Sequence, residues 1–125
     1  MEITELMVGD IVQYLDGKKL ITVVVVKVDG SGNVVRLKQK NGHKFNTTID
    51  FLKPIPLTPE ILKKNFQDFD NDEYTFGWWP QEKLGVFLVE WQNHKREIVS
   101  KLVYNIHELQ HILLICSINK QISLP

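Results

Sequence analysis

The chain has 125 residues, 43% of them hydrophobic, 24% charged and 10% aromatic, which excludes a disordered polymer. A chain of this size can bury a core without disulfides or a structural metal. Its 15 basic and 15 acidic residues cancel, a balance that weighs against a dedicated nucleic-acid binder, whose basic excess is usually larger.

The charge is unevenly spread: residues 1–53 carry a net +2, residues 54–93 a net −4 and residues 94–125 a net +2. Cys116 is the only cysteine and sits in an apolar run, which predicts a reducing compartment and a buried, inert thiol. The start, Met1-Glu2-Ile3-Thr4-Glu5, is acidic where a secretory leader is basic and apolar. The runs Val23 to Val26 and Ile112 to Cys116 fall well short of the ~20 residues of a membrane helix. These features predict a cytoplasmic protein with no membrane partner.

The first half reads as short strands. Val8-Gly9-Asp10 opens a strand from Ile11 to Tyr14 that ends at the turn dipeptide Asp16-Gly17. Leu20 to Val28 is β-branched and close to continuously apolar, as in a strand covered on both faces or one bending round a barrel corner. Asp29 to Asn33 reads as a hairpin loop in which glycines supply positive φ. From Val34 to Lys40, Arg36, Lys38 and Lys40 alternate with Val35 and Leu37, giving one basic and one apolar face. Asn41-Gly42 is a two-residue hairpin signal, followed by a strand from His43 to Ile49. Four short strands with tight turns predict a small SH3-like barrel, because closure removes exposed edges.

Three prolines in Lys53-Pro54-Ile55-Pro56-Leu57-Thr58-Pro59 mark a boundary and lead into a helix. Thr58 is its cap, Pro59 its first residue, and Leu57 and Leu62 form a hydrophobic staple. The helix is expected to stop near Asn65, a residue that tolerates a left-handed cap. An acidic loop, Asp68 to Glu73, precedes the aromatic stretch Tyr74 to Trp79. Strands are expected at Leu84 to Trp91 and Glu97 to Tyr104, then a helix from Ile106 to Ser117. Asn105 and Glu108 have capping-box spacing there, and Tyr104 and Leu109 repeat the staple.

The segments Asp50-Phe51-Leu52-Lys53-Pro54-Ile55-Pro56-Leu57-Thr58 and Ile106-His107-Glu108-Leu109-Gln110, with the Val-Gly-Asp opening, resemble a family of short uncharacterised proteins of gut bacteria, their phages and mobile elements. Its members read Leu-x-Pro-Ile-Pro-Leu-Thr and close on Tyr-Val-His-x-Leu-Gln; here Asn105 stands where that pattern has Tyr. The resemblance implies a phage or mobile-element context and no particular chemistry.

Four constellations bear on function. His107-Glu108-Leu109-Gln110-His111 has the H-E-x-x-H form in which two His bind zinc and Glu acts as general base. No His, Asp or Glu follows His111, Glu108 has a capping position, and the stripe Ile106, Leu109, Ile112, Leu113 and Cys116 predicts both His on the solvent side. A capped amphipathic helix accounts for the match. Asp68-Phe69-Asp70-Asn71-Asp72 imitates a calcium loop, yet Glu73 replaces the required Gly and Trp79 the bidentate Glu. Arg36, Lys38, Lys40 and Lys44 form a basic face that suits phosphates or a merely solvated strand, with Tyr14 and Phe45 the nearby stacking candidates. Trp78 and Trp79, adjacent in an extended segment, face opposite ways, so one is available to a partner; Trp91 reads as core.

The expectation is thus an α+β protein: an SH3-like barrel over residues 1–53, then residues 54–125 with two or three strands and two helices, either separate or continuous with it. Its function reads as a non-enzymatic binding or accessory module, without a cofactor, meeting a protein partner. The alternatives are a nucleic-acid-binding SH3-like module and a zinc hydrolase using His107, Glu108 and His111.

Overall fold

A computed structural model describes residues 1–66, 74–80, 84–92, 95–98, 102–116, 118 and 121–124. For Phe66, residues 74–80, Leu84, and residues 87–92 and 95–97 the description is of backbone alone. The acidic loop Asp68 to Glu73, with its calcium-loop likeness, lies outside the described residues. The chain divides into two compact units, Met1–Ile55 and Pro56–Pro125. The fold is α+β, and no described helix is long and apolar enough to cross a membrane.

The first unit is an antiparallel sheet of β1 (Ile11–Asp16), β2 (Lys19–Asp29), β3 (Val34–Lys38), β4 (Lys44–Thr48) and β5 (Leu52–Lys53), in the order β4-β3-β2-β1-β5. Val8-Gly9-Asp10 forms the turn that feeds it. The Met7 N–H donates to Asp10 Oδ2 at 2.8 Å, Gly9 takes φ +99°, and Asp10 is buried. A side chain at that φ would be strained, so glycine is required.

Two hairpins differ from the sequence expectation. At Asn41-Gly42 the loop has three residues: Gln39 O accepts from Gly42 N–H at 2.9 Å and Gln39 N–H donates to His43 O at 2.8 Å. Gly42 takes φ +90°, the left-handed third position of a type I turn with a bulge. Lys40 therefore sits in the turn, beyond the end of β3. In the loop after Asp29 the positive φ belongs to Asn33, at 52°, and to neither glycine. Asp29 Oδ1 organises that loop by accepting from Ser31 N–H at 3.2 Å and Ser31 Oγ at 2.8 Å.

The apolar run of β2 is covered on one face only. Val23 and Val25 are buried whereas Leu20 and Val24 stay 49% and 36% exposed. A bulge absorbs the missing alternation: Val25 pairs with Leu37 and Lys27 with Arg36, leaving Val26 as the extra residue. Val28 then faces inward against Val35, so the core phase survives a local bend. The sheet curls strongly as a result. Tyr14 on β1 and Phe45 on β4 lie three strands apart, ~14 Å in a flat sheet, yet their ring centroids are 4.8 Å apart. Among the described residues no ladder joins β4 to β5, so the sheet is open where the sequence predicts a closed barrel. Ile3, Leu6, Val12, Val23, Val25, Val35, Leu37 and Leu52 form the core inside the curl. The two-residue β5, reached through a 3-10 turn at Ile49–Phe51, has no sequence signature.

The second unit holds α1 (Pro59–Phe66), a sheet of β6 (Tyr74–Pro80), β7 (Leu84–Gln92) and β8 (Lys95–Ile98) in that order, and α2 (Ile106–Ile115). α1 starts as its sequence dictates. The Ile61 N–H donates to Thr58 Oγ1 at 3.2 Å, a cap contributing about 1 kcal/mol. Leu57 and Leu62, the staple positions, are both buried. α1 runs one residue past Asn65, which is no left-handed cap but a buried clamp. Its Nδ2 donates to Ile61 O at 2.7 Å and Ser123 O at 2.8 Å, and its Oδ1 accepts from Ser123 N–H at 2.6 Å. Lys64 Nζ adds a bond to Leu124 O at 2.6 Å, and Ile122, next to Ser123, is buried. The segment 121–124 is thereby held against α1.

Of the strand expected over Glu97 to Tyr104, β8 (Lys95–Ile98) covers the first two residues and begins two earlier, residues 99–101 lie outside the described residues, and Val103 makes an isolated bridge to Val86. Gly85 is buried, with Leu102 carbons 2.8 Å from where a Cβ would stand, so a larger residue would displace Leu102. α2 buries Ile106, Leu109, Ile112 and Leu113 as the stripe predicts, while Tyr104, the expected staple residue, remains 38% exposed. Leu57 N–H donates to Tyr104 O at 2.8 Å and Pro56 bridges to Asn105, so the two helix starts lie side by side.

Candidate functional site

Alternation along β3 puts Arg36 and Lys38 on the outer face, opposite the buried Val35 and Leu37. Cross-strand pairing sets Lys38 directly against Lys44 of β4, and Arg36 between Asn46 of β4 and Lys27 of β2. Arg36 Nη1 donates to Asn46 Oδ1 at 3.4 Å, a long bond that leaves most of the guanidinium donors for other use. Lys27, Asp29, Val34, Arg36 and Asn46 line a cleft of about 410 Å³. The hydrogen bond from Ser31 Oγ, with that from the Ser31 N–H, holds the Asp29 carboxyl below its ordinary range. Lys40 is exposed in the turn beyond β3, where strand alternation no longer sets its direction.

The same face continues across β2 and β1 as an apolar surface. Val24 lies between Lys38 and Ile11, and Leu20 pairs with Leu15. Sequence reading missed this half because an apolar run gives no hint of which alternate residues are left uncovered. It missed Lys27 because the bulge at Val26 turns that residue onto the face of Arg36.

The candidate stacking rings sit elsewhere. Phe45 alternates with Lys44 and Asn46 on β4 and packs against the inner core, as does Tyr14. Phe51 stands 6.3 Å from Tyr14 and His43 stacks 6.1 Å from Phe45, centroid to centroid, extending the cluster on that inner side. Cations and aromatics thus occupy opposite faces of the sheet, whereas a single-strand platform interleaves them.

The chain matches no protein-family model, no curated protein and no solved structure.

In the second unit, Trp78 and Trp79 stand on β6, at one edge of its sheet, in register with Val86 and Gly85. Their side chains, and that of Trp91, lie outside the described residues. The H-E-x-x-H segment occupies the first turns of α2. Here the sequence expectation fails in part: His107 is 2% exposed rather than solvent-facing, and His111 is half-buried, with ring centroids 5.9 Å apart. A helical wheel shows only a helix's own stripe and not what packs over its first turn. Glu108 Oε1 accepts from Asn105 Nδ2 at 2.8 Å and approaches the Tyr104 N–H at 3.4 Å, so this carboxylate is engaged at the helix start. Asn105 makes no side-chain cap bond of its own, and Glu108 meets its side chain and the Tyr104 N–H in place of the Asn105 N–H, so the contact differs from the expected capping box. Among the described residues no group of three His, Cys, Asp or Glu converges on a metal position. Cys116, read as buried, is half-buried at the C-terminal end of α2.

Proposed function

We propose that the protein is a non-enzymatic binding or accessory module that works through protein contacts, with the outer face of its N-terminal sheet as the contact surface. The observation that carries this reading is the join of exposed Leu20 and Val24 to Arg36, Lys38 and Lys44 on one continuous sheet face. Aliphatic groups left in water beside cations suit a partner that brings both apolar and acidic groups. The sheet is read as an SH3-like barrel with an open seam; the bulged β2 and the Tyr14–Phe45 contact support that form. The lone half-buried Cys116 favours a cytoplasmic setting, and the proline segment and the His107 region favour a phage or mobile-element origin.

Nucleic acid is the weaker partner because the rings that would stack on bases lie on the opposite sheet face. A photo-crosslinking residue at Thr22, between Leu20 and Val24, separates the two in cells that make the protein. One protein adduct, lost when Arg36→Glu and Lys38→Glu are introduced together, is the expected result. Adducts to nucleic acid, or an adduct indifferent to those changes, would contradict the reading.

A further inference from the structure

We propose that the cleft beside Arg36 is an acid-recognition subsite that receives a carboxylate side chain of an acidic segment of a partner protein. This rests on the outer sheet face being the contact surface and adds the chemistry of its centre.

Lys27 stands directly across from Arg36, and Lys38 directly across from Lys44. Like charges facing one another in a sheet destabilise the free protein. The two pairs, on alternate residues of β3, gather four cations on one face across three strands, and an anion arriving beside Arg36 relieves the Lys27–Arg36 pair directly. Asp29, the one carboxylate lining the cleft, offsets part of that potential through the charge of Lys27, but its Oδ1 is taken by Ser31 N–H and Oγ and it makes no bond to the Arg36 fork. Asn46 holds one arm of the Arg36 guanidinium at 3.4 Å, which orients the fork without saturating it. A fork with free N–H groups matches a carboxylate in two parallel bonds. Val34 gives the cleft an apolar wall, and Val24, one row away beside Lys38, offers a seat for the aliphatic neighbour of the bound acid.

A phosphate would satisfy the same fork. What favours a protein acid is the surrounding surface: next to the cations lie Val24, Leu20 and their partners Ile11 and Leu15, with no described aromatic ring among them. A single-stranded nucleic acid would find cations there and nothing on which to stack its bases.

The test uses the full chain and fluorescence anisotropy with three labelled probes. They are a peptide of four Glu-Leu-Glu repeats, the same peptide with Gln for every Glu, and a dodecamer of thymidylate. The expected result is binding of the Glu peptide that weakens as salt rises, with none for the Gln peptide. Arg36→Ala should weaken the Glu peptide about fivefold, and Arg36→Lys should recover only part of that loss. Circular dichroism of each variant confirms that the exposed substitution leaves the sheet folded. Tighter binding of the thymidylate, with the same dependence on Arg36, would overturn the proposal in favour of a phosphate site. So would failure of the Glu peptide to bind, or equal binding of the Gln peptide. If the Glu peptide binds but is indifferent to Arg36→Ala while Leu20→Ser with Val24→Ser abolishes it, the subsite falls and the contact surface stands.

Discussion

Asn65→Ala is expected to destabilise the C-terminal unit by about 3 kcal/mol, read as a lower midpoint in urea titration. The side chain is buried and makes three hydrogen bonds, two of them a reciprocal pair with Ser123 that imitates a strand ladder. Truncation removes all three bonds: the one to Ile61 O is buried, where a deficit costs about 1–3 kcal/mol, while the two to exposed Ser123 are part-buried and each contributes about 1 kcal/mol. Asn65→Asp should be no better. It keeps an acceptor for the Ser123 N–H but turns an oxygen on the carbonyls of Ile61 and Ser123. Lys64→Ala, by contrast, removes an exposed bond to Leu124 and should cost well under 1 kcal/mol. A loss below 1 kcal/mol for Asn65→Ala would mean that segment 121–124 is held by something other than this clamp.

Deleting Val26 should lower the stability of the N-terminal unit by about 3 kcal/mol without reversing which residues face the core. The deletion restores plain alternation: Val25 inward, Lys27 outward, Val28 inward. What it removes is the bulge and the bend it makes. Tyr14 and Phe45 then move apart, losing an edge-to-face pair of about 1 kcal/mol and the shelter they give the core fringe. Tyr14→Ala in the deletion background should cost less than in the intact chain, since the contact is already gone. Equal costs in the two backgrounds would show that the curl does not depend on Val26.

These two cases mark where the sequence is legible. The Thr58 cap, the Leu57–Leu62 staple and the buried stripe of α2 were readable because each depends on residues a few positions apart. The alternation of Arg36 and Lys38 with Val35 and Leu37 likewise placed two of the site cations on one face. The bulge was not readable, because Val23 to Val26, four identical residues within a nearly apolar run, carry no period to break. With it went the exposed Val24 and Leu20 and the true facing of Lys27. Asn65 was misread for a different reason: its partner Ser123 is 58 residues away, and nothing local distinguishes a clamp from a cap. The Asn41-Gly42 dipeptide signalled a hairpin correctly but not its length, since glycine serves a left-handed position in either loop. The apolar stripe alone puts His107 in solvent, because the packing over the first turn of α2 is tertiary.

That misplacement makes the H-E-x-x-H segment the sharpest point of attack on the central claim, that this protein binds and does no chemistry of its own. Elemental analysis of the purified full chain is the direct measurement. Less than about a tenth of an equivalent of zinc is the predicted result, with Glu108→Gln altering only the start of α2, where Glu108 holds Asn105. One equivalent of tightly held zinc, lost when His107→Ala and His111→Ala are introduced together, would contradict it. It would mean that the His pair, 5.9 Å apart ring to ring, has a third ligand, and it would make the zinc hydrolase the leading reading.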